Sequence, residues 1–501
     1  MATPVPSDRA SLQGTLSVSQ DHLQQTLTTP KIIFLVIAAA APLTAMVGTV
    51  PLAFALGDGA GFPAIFVFAG LTLLCFSVGY AAMSRQIVNA GGFYTYLASG
   101  LGKPVALAGG VIAIISYPAV TVGMIGAFGY FAHLVAAEHG AGGIPWEVWS
   151  GAAIVAMAIL GYRQIDLSAK VLSVLLIAEI GILAALDLGM LGHHGTAAFP
   201  LTSFSPHVFL GAGVGVSMMF AFMSYIGFES AAMYGEETRN PRRSVPLATY
   251  GSVLVITVFY ALTSWAAVGA VGPGHVQGVA ATQLGNLFFL LSDQNLNSTA
   301  TTFMQIFMCT SLFAGVLALH NAGNRYLFAL GRERVLPGFL GATHPKHRSP
   351  HRASLVQTAV IVAVVAAFAA AGLDPYVNLA TSMLGIGTVG IIVLQAAACA
   401  SVPPFFWRRA DRHWWRTGLA PVLGMAGLIT GLVLLIQNFT VVTGTTNPVV
   451  TALPWLLFAA AGVGFCYALW LRFARPDRYA AMAATRLRED QPTQLTPDQV
   501  A

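Results

Sequence analysis

Charge in this chain is confined to short breaks between long apolar runs, and that pattern leaves few folds open to it. The runs lie at 32–56, 62–83, 105–134, 148–163, 168–191, 207–235, 247–271, 301–331, 355–372, 376–400, 418–438 and 453–474. A helix that crosses a bilayer needs about 20 apolar residues, so the pattern predicts twelve spanning helices, the fourth and ninth short and the third and eighth long. Only 9% of the 501 residues are charged and 56% are hydrophobic, against about 25% charged in soluble domains. The expected fold is an all-α integral membrane protein.

The basic residues orient the helices, because Lys and Arg favour the cytoplasmic side. With the N-terminus inside, alternate loops hold Arg85 and Lys103, Arg163 and Lys170, Arg239 to Arg243, Arg325 to Arg352 and Arg408 to Arg416; the two ends hold the rest. The intervening outer loops carry Asp58, Glu138, Glu147 and Asp293 and no basic residue. An odd number of spans breaks this alternation, so both termini are expected inside, in the plasma (inner) membrane. Residues 1–30 read as a disordered cytoplasmic tail without the pattern of a signal peptide; 31–477 are the membrane domain and 478–501 a second tail. The net charge of +5 is scattered in short clusters, which is no nucleic-acid footprint. Cys75, Cys309, Cys399 and Cys466 all lie in apolar runs and read as small core residues, with neither disulfide nor metal spacing.

Two runs are interrupted where a spanning helix is normally uniform. Run 1 reads "AAAAPLTAMVGTVPLAFALGDGAG", with Pro42 and Pro51 on either side of Gly48; run 6 reads "VGVSMMFAFMSYIGFESAAMYG", with Gly227 near its centre. They are five runs apart, so runs 1–5 (about 32–191) and 6–10 (about 207–400) predict a 5+5 inverted repeat, with two further helices over about 418–474. Discontinuous helices in matched positions mark transporter binding sites. Irregular backbone at that depth is tolerated where it lines a cavity. A break at Gly227 frees carbonyls for an ammonium, and a break near Gly48 offers N–H groups to an anion.

"IGFES" at 226–230 with "EETRNPRRSVPLA" at 235–248, "SRQIVNAGGFYTYLASGLGKP" at 84–104 and "HNAGNRYLFALGRERVLP" at 320–337 resemble the amino acid–polyamine–organocation (APC) family of permeases, over about 32–475. The resemblance implies a LeuT-like fold and secondary transport of amino acids or related amines, by proton coupling or exchange. Substrate is then expected between the breaks of spans 1 and 6, walled by spans 3 and 8. Two departures stand out. Family members often carry a Gly–Ser–Gly type of break in span 1, where this chain has "VGTV". Several proton-coupled relatives carry a lysine in span 5, where this chain has Glu179, so lysine-based coupling does not carry over.

The substrate-binding candidates are Thr44, Ala45, Met46, Val47, Gly48, Thr49, Tyr117, Ser224, Tyr225, Ile226, Gly227 and Phe228, with Tyr225 or Phe228 as a gate. Glu179 and Glu229 read as the acids deep within the spans, and buried ionisable groups in membranes are functional by default; they are the proton-coupling candidates. Against this, Glu229 also reads as a cap on the broken helix, and Glu179 as a protonated packing residue or a Na⁺ ligand. His320 and Arg325 read as structural or interfacial. No phosphate loop, nucleophile–base pair or metal spacing appears, so no enzyme, ATP-driven pump, cofactor or metal site is expected. The chain is expected to import amino acids by proton symport; an exchanger and a polyamine or small-amine transporter are the alternatives.

Overall fold

A computed structural model describes residues 28–87, 92–163, 169–231, 238, 240–345, 347 and 349–483. Among these residues every regular element is helical. The first apolar run is divided into α1 (Thr29–Ala40), α2 (Pro42–Gly48) and α3 (Val50–Leu56), followed by α4 (Phe62–Ser84). Next come α5 (Gly92–Leu101), α6 (Lys103–Glu138), α7 (Trp146–Arg163) and α8 (Ala169–His194). A short α9 (Pro206–Phe209) leads into α10 (Val214–Ser224) and α11 (Pro241–Val271). Then α12 (Val276–Gln283), α13 (Leu287–Asn295), α14 (Ser298–Arg332), α15 (His351–Ala370) and α16 (Thr381–Phe406) follow. The chain ends in α17 (Ala420–Gln437), α18 (Phe439–Thr443), α19 (Pro448–Ala474) and α20 (Pro476–Ala481).

Among the described residues, eleven helical stretches are long and apolar enough to cross a membrane. The expected fourth span, α7, is a helix of 18 residues with Glu147 in its first turn and Arg163 in its last. These charged ends leave it little apolar length, and it falls outside the eleven. Pro118 does not interrupt α6, which runs unbroken for 36 residues.

Helix α6 is the hub: it packs against α14, α16, α19, α5, α7 and α15. Helix α4 packs on α11 and α16; α1 on α11 and α8; α10 on α4, α16 and α17. Helix α8 touches α11 and α14, and α7 touches α14 and α15, which also meet each other. Lipid-facing helices stand around this core. The apolar stretches of α6 and α16 are 72% and 78% buried, whereas that of α19 is 22% buried and carries exposed Trp455, Val463 and Phe473. This corrects the reading of the cysteines: Cys399 is buried, but Cys466 is exposed on α19. An apolar run is as much a lipid-facing signal as a core one.

The boundaries of the ends also shift. Thr29 already opens α1, while residues 1–27 lie outside the described ones. At the other end Arg478 belongs to α20, and Met482 beyond it is fully buried. Lys103 Nζ donates to the carbonyls of Tyr479 and Ala480, both at 2.8 Å, and Ala483 N–H donates to Glu333 at 3.1 Å. The chain therefore stays docked past the expected start of the tail; residues 484–501 lie outside the described ones.

Candidate functional site

Run 1 breaks at Ala41, seven residues before the expected Gly48. Ala41 has φ +47 and separates α1 from α2. Pro42 favours the break there, because it disfavours the α conformation in the residue before it and brings no N–H. Next to Gly48 the chain is interrupted only mildly: Thr49, with φ −118, separates α2 from α3, but i→i−4 bonds bridge it, Thr49 N–H donating to Ala45 O and Ala53 N–H to Thr49 O, both at 3.1 Å. The peptide N–H groups of Ala45 and Thr49 are thus spent on helix-type bonds, and those without an i→i−4 partner lie at the start of α2.

Run 6 breaks where expected. Helix α10 ends at Ser224, and Gly227 turns the chain with φ +112. A Cβ at Gly227 would lie 2.7 Å from Ala39 O and 3.1 Å from Ala40 N. The two broken backbones therefore touch here, and glycine is required both for the φ and for the approach.

A cavity of about 60 Å³ lies against the two breaks. Of the sequence candidates, Thr44, Ala45, Gly48, Thr49, Ser224 and Ile226 line it. Met46, Val47, Tyr117, Tyr225, Gly227 and Phe228 do not. Met46 and Val47 are fully buried on other faces of the helix. Tyr225 turns away, its hydroxyl 3.0 Å from both Phe66 O and Thr257 Oγ1. Phe228 packs edge-on against Phe76. Neither is placed to gate this cavity. The walls that sequence reasoning left unassigned come from Val120 and Met124 of α6, Leu312 and Leu319 of α14 and, before and within α16, Tyr376 and Leu384. No acidic or basic side chain lines it.

Tyr376 closes one end. Its hydroxyl donates to Gly48 O at 2.9 Å, and its ring stacks on Tyr130 at 4.5 Å and meets Phe131 edge-on. Asp374 holds the turn that presents it, accepting from Tyr376 N–H at 2.8 Å and Val377 N–H at 2.6 Å. One turn before Val120, Tyr117 stacks on Tyr326 at 5.4 Å, beside Tyr80 packed edge-on with Tyr96.

The two glutamates belong to different networks. Glu229 accepts from Gly227 N–H at 3.0 Å and from Tyr117 at 3.3 Å, so it caps the turn of run 6. Glu179, on α8, accepts from Ser311 Oγ at 2.8 Å and from the Leu43 N–H at the start of α2. Ser311 in turn accepts from Thr44 Oγ1 at 3.1 Å, and Thr44 lines the cavity. A third acid was missed: Asp187, two turns further along α8, bonds Thr263 at 2.8 Å and leaves Oδ1 buried without a partner. It lies near the end of its apolar run. His320 lies away from the cavity: it pairs with Ser354 at 3.0 Å and Gln357 at 3.1 Å and ties α14 to α15. Among the described residues no group of three or more His, Cys, Asp or Glu is arranged to hold a metal ion.

The pattern of a family described as "Amino acid permease" matches residues 27–472. A branched-chain amino acid permease of Bacillus subtilis is 26% identical over 314 residues, covering 59% of this chain and 65% of that protein. A methylthioribose transporter of the same organism is 25% identical over 358 residues, covering 68% and 75%. An uncharacterized transporter of Rhizobium meliloti is 27% identical over 323 residues, covering 62% and 67%.

Proposed function

From the premise that this chain belongs to the amino acid permease family, among the APC permeases, we propose that it is a secondary transporter importing neutral amino acids with apolar side chains. The observation that carries the reading is the cavity against the two breaks, apolar-walled and free of charged side chains. A polyamine would require carboxylates in that lining. A zwitterion instead finds opposite helix ends: the start of α2, beside the Leu43 N–H that Glu179 takes, for its carboxylate, and the ends of α1 and α10 for its ammonium. Val120, Met124, Leu312 and Leu384 then surround an aliphatic side chain, in keeping with the branched-chain permease among its relatives.

Alternating access follows from a twelve-span, LeuT-like arrangement with both termini cytoplasmic, α7 being the twelfth span. Its support is the packing itself. Exchange each of the first five runs for the one five later, and α1–α11 becomes α10–α4, α1–α8 becomes α10–α16, and α6–α16 becomes α14–α8. Likewise α6–α7 becomes α14–α15, α6–α15 becomes α14–α7, and α4–α16 becomes α11–α8. All twelve contacts exist. The Tyr376 layer serves as the outer gate and the Tyr117–Tyr326 layer as the inner one, with α12 and α13 covering the outer side.

Proton symport is the coupling we favour. Glu179 is the first carrier, because Ser311 and Thr44 link it to the cavity; Glu229 is the second. The test is a thermal-shift screen of purified protein against amino acids, polyamines and methylthioribose. Stabilisation by leucine, isoleucine or valine is expected. Stabilisation only by compounds without a carboxylate overturns the reading.

A further inference from the structure

The loop joining α16 to α17 carries Arg408, Arg409, Arg412 and Arg416 among Trp407, Trp414 and Trp415, and the transport cycle above uses none of them. Among the described residues no ion pair binds these arginines. The one acid in the loop, Asp411, accepts instead from Gln86 Nε2. Two guanidinium groups are held by rings: Arg409 lies 4.3 Å from the Phe405 centroid and Arg412 4.8 Å from that of Trp407. A guanidinium stacked in this way keeps its N–H edge free for a bidentate partner.

The loop is built to hold this posture. His413 Nδ1 accepts from Trp415 N–H at 3.2 Å and Arg416 N–H at 3.4 Å. The His413 N–H donates to Thr417 Oγ1 at 3.0 Å, and that hydroxyl returns a bond to His413 O at 2.9 Å. Between the rings and the arginines runs a shallow cleft lined by Pro403, Pro404, Phe405, Trp407, Arg408 and Arg409, with an apolar floor and a basic rim.

Depth decides what fits there. The loop lies between two stretches long and apolar enough to cross a membrane, Pro375–Phe406 and Trp414–Gln437, which puts it at the membrane surface. Trp407 and Trp414 are 64% and 72% exposed, and exposed tryptophans belong at headgroup level. From there exposed Leu419 and, up α17, exposed Val422, Leu423 and Ile429 form a surface for acyl chains. A free phosphate has no use for the apolar floor; a molecule with a phosphate attached to two acyl chains matches both halves.

We propose that this loop is a binding site for an anionic phospholipid. The phosphate is gripped by Arg408, Arg409 and Arg412, and the acyl chains lie along α17. Each basic residue near an anionic membrane surface contributes about 1 kcal/mol, so removing three lowers selectivity for anionic lipid roughly a hundredfold.

The test is native mass spectrometry of the full chain in mixed phosphatidylglycerol and phosphatidylcholine, comparing wild type with Arg408→Gln/Arg409→Gln/Arg412→Gln and with the exposed-arginine control Arg478→Gln. Wild type and control are expected to retain phosphatidylglycerol preferentially, and the triple variant to retain the two lipids alike. A triple variant that keeps the wild-type preference for phosphatidylglycerol overturns the site. Should that variant not fold, wild type at raised salt decides, because an arginine–phosphate grip is screened and undiminished selectivity overturns it. Inorganic phosphate is the last arm: displacement of phosphatidylglycerol at matched phosphate concentration overturns the lipid assignment.

Discussion

Gly227 and Gly48 look alike in the sequence, each a glycine inside an interrupted span, and they do different work. At Gly227 an alanine needs a φ of +112 and drives its Cβ to 2.7 Å from Ala39 O; left-handed backbone alone costs alanine about 1–2 kcal/mol. At Gly48 the new Cβ meets the flexible end of Met308 at 3.1 Å and no backbone. Gly227→Ala is therefore expected to lose both folded yield and ligand-induced stabilisation, and Gly48→Ala to fold normally with at most about tenfold weaker binding, about 1.4 kcal/mol; thermal shifts of both variants with leucine check this. The glutamates separate in the same way. Glu179→Gln is expected to abolish the pH dependence of uptake in proteoliposomes. Glu229→Gln keeps an acceptor for the Gly227 N–H, so it is expected to retain stability; if it also retains wild-type pH-dependent uptake, Glu229 is a cap alone.

At the scale of elements, a clamp joins the two interrupted runs away from the cavity. After α3, Asp58 accepts from Gly213 N–H at 2.9 Å just before α10, and its own N–H donates to Ser217 Oγ at 2.9 Å. Burial pushes the Asp58 carboxyl up from 3.8 to about 6, against the opposing Gly213 bond, and its Oδ2 has no partner. A raised folded-state pKa means stability that is full below 3.8 and lost as the pH rises through about 6. The melting temperature of the wild type should fall across that window relative to Asp58→Asn, and the difference should stay constant above it; a parallel pair of pH curves refutes the coupling. The break in run 1 was also legible at this scale, since "AAAAPLT" puts Ala41 where a proline disfavours the helical conformation, even though Pro118 leaves α6 intact. The glycine drew attention away from the proline.

For the whole molecule, α20 matters beyond its length. The chain end joins the start of α6 through Lys103 and the end of α14 through Glu333, two of the helices that wall the cavity. Truncation after Ala474 removes buried Met482 and these bonds; it should cost about 2 kcal/mol or more of stability, read as a lower melting temperature of purified protein. An unchanged melting temperature would leave the docked end without a stabilising role. Likewise, the family motifs are only partly placed: residues 88–91 of the first and most of 232–239 in the second lie outside the described residues.

Apolar run length and the scarcity of charge sufficed to establish a membrane-spanning helical chain, and three separated motifs sufficed for the family. These are local properties: a bilayer reads hydrophobicity along the chain, and a proline or a glycine acts on its own backbone. Which side chains meet is not local. The sequence marks Tyr225, Tyr117 and Tyr376 alike as aromatic, but only packing turns the first toward Thr257, the second toward Glu229 and the third onto Gly48. In the same way Glu179 became a partner of Ser311, 132 positions away, because α8 packs on α14. Run length told which segments are spanning helices; it carries no information on which face of each helix another will cover, and that choice decided the walls of the cavity.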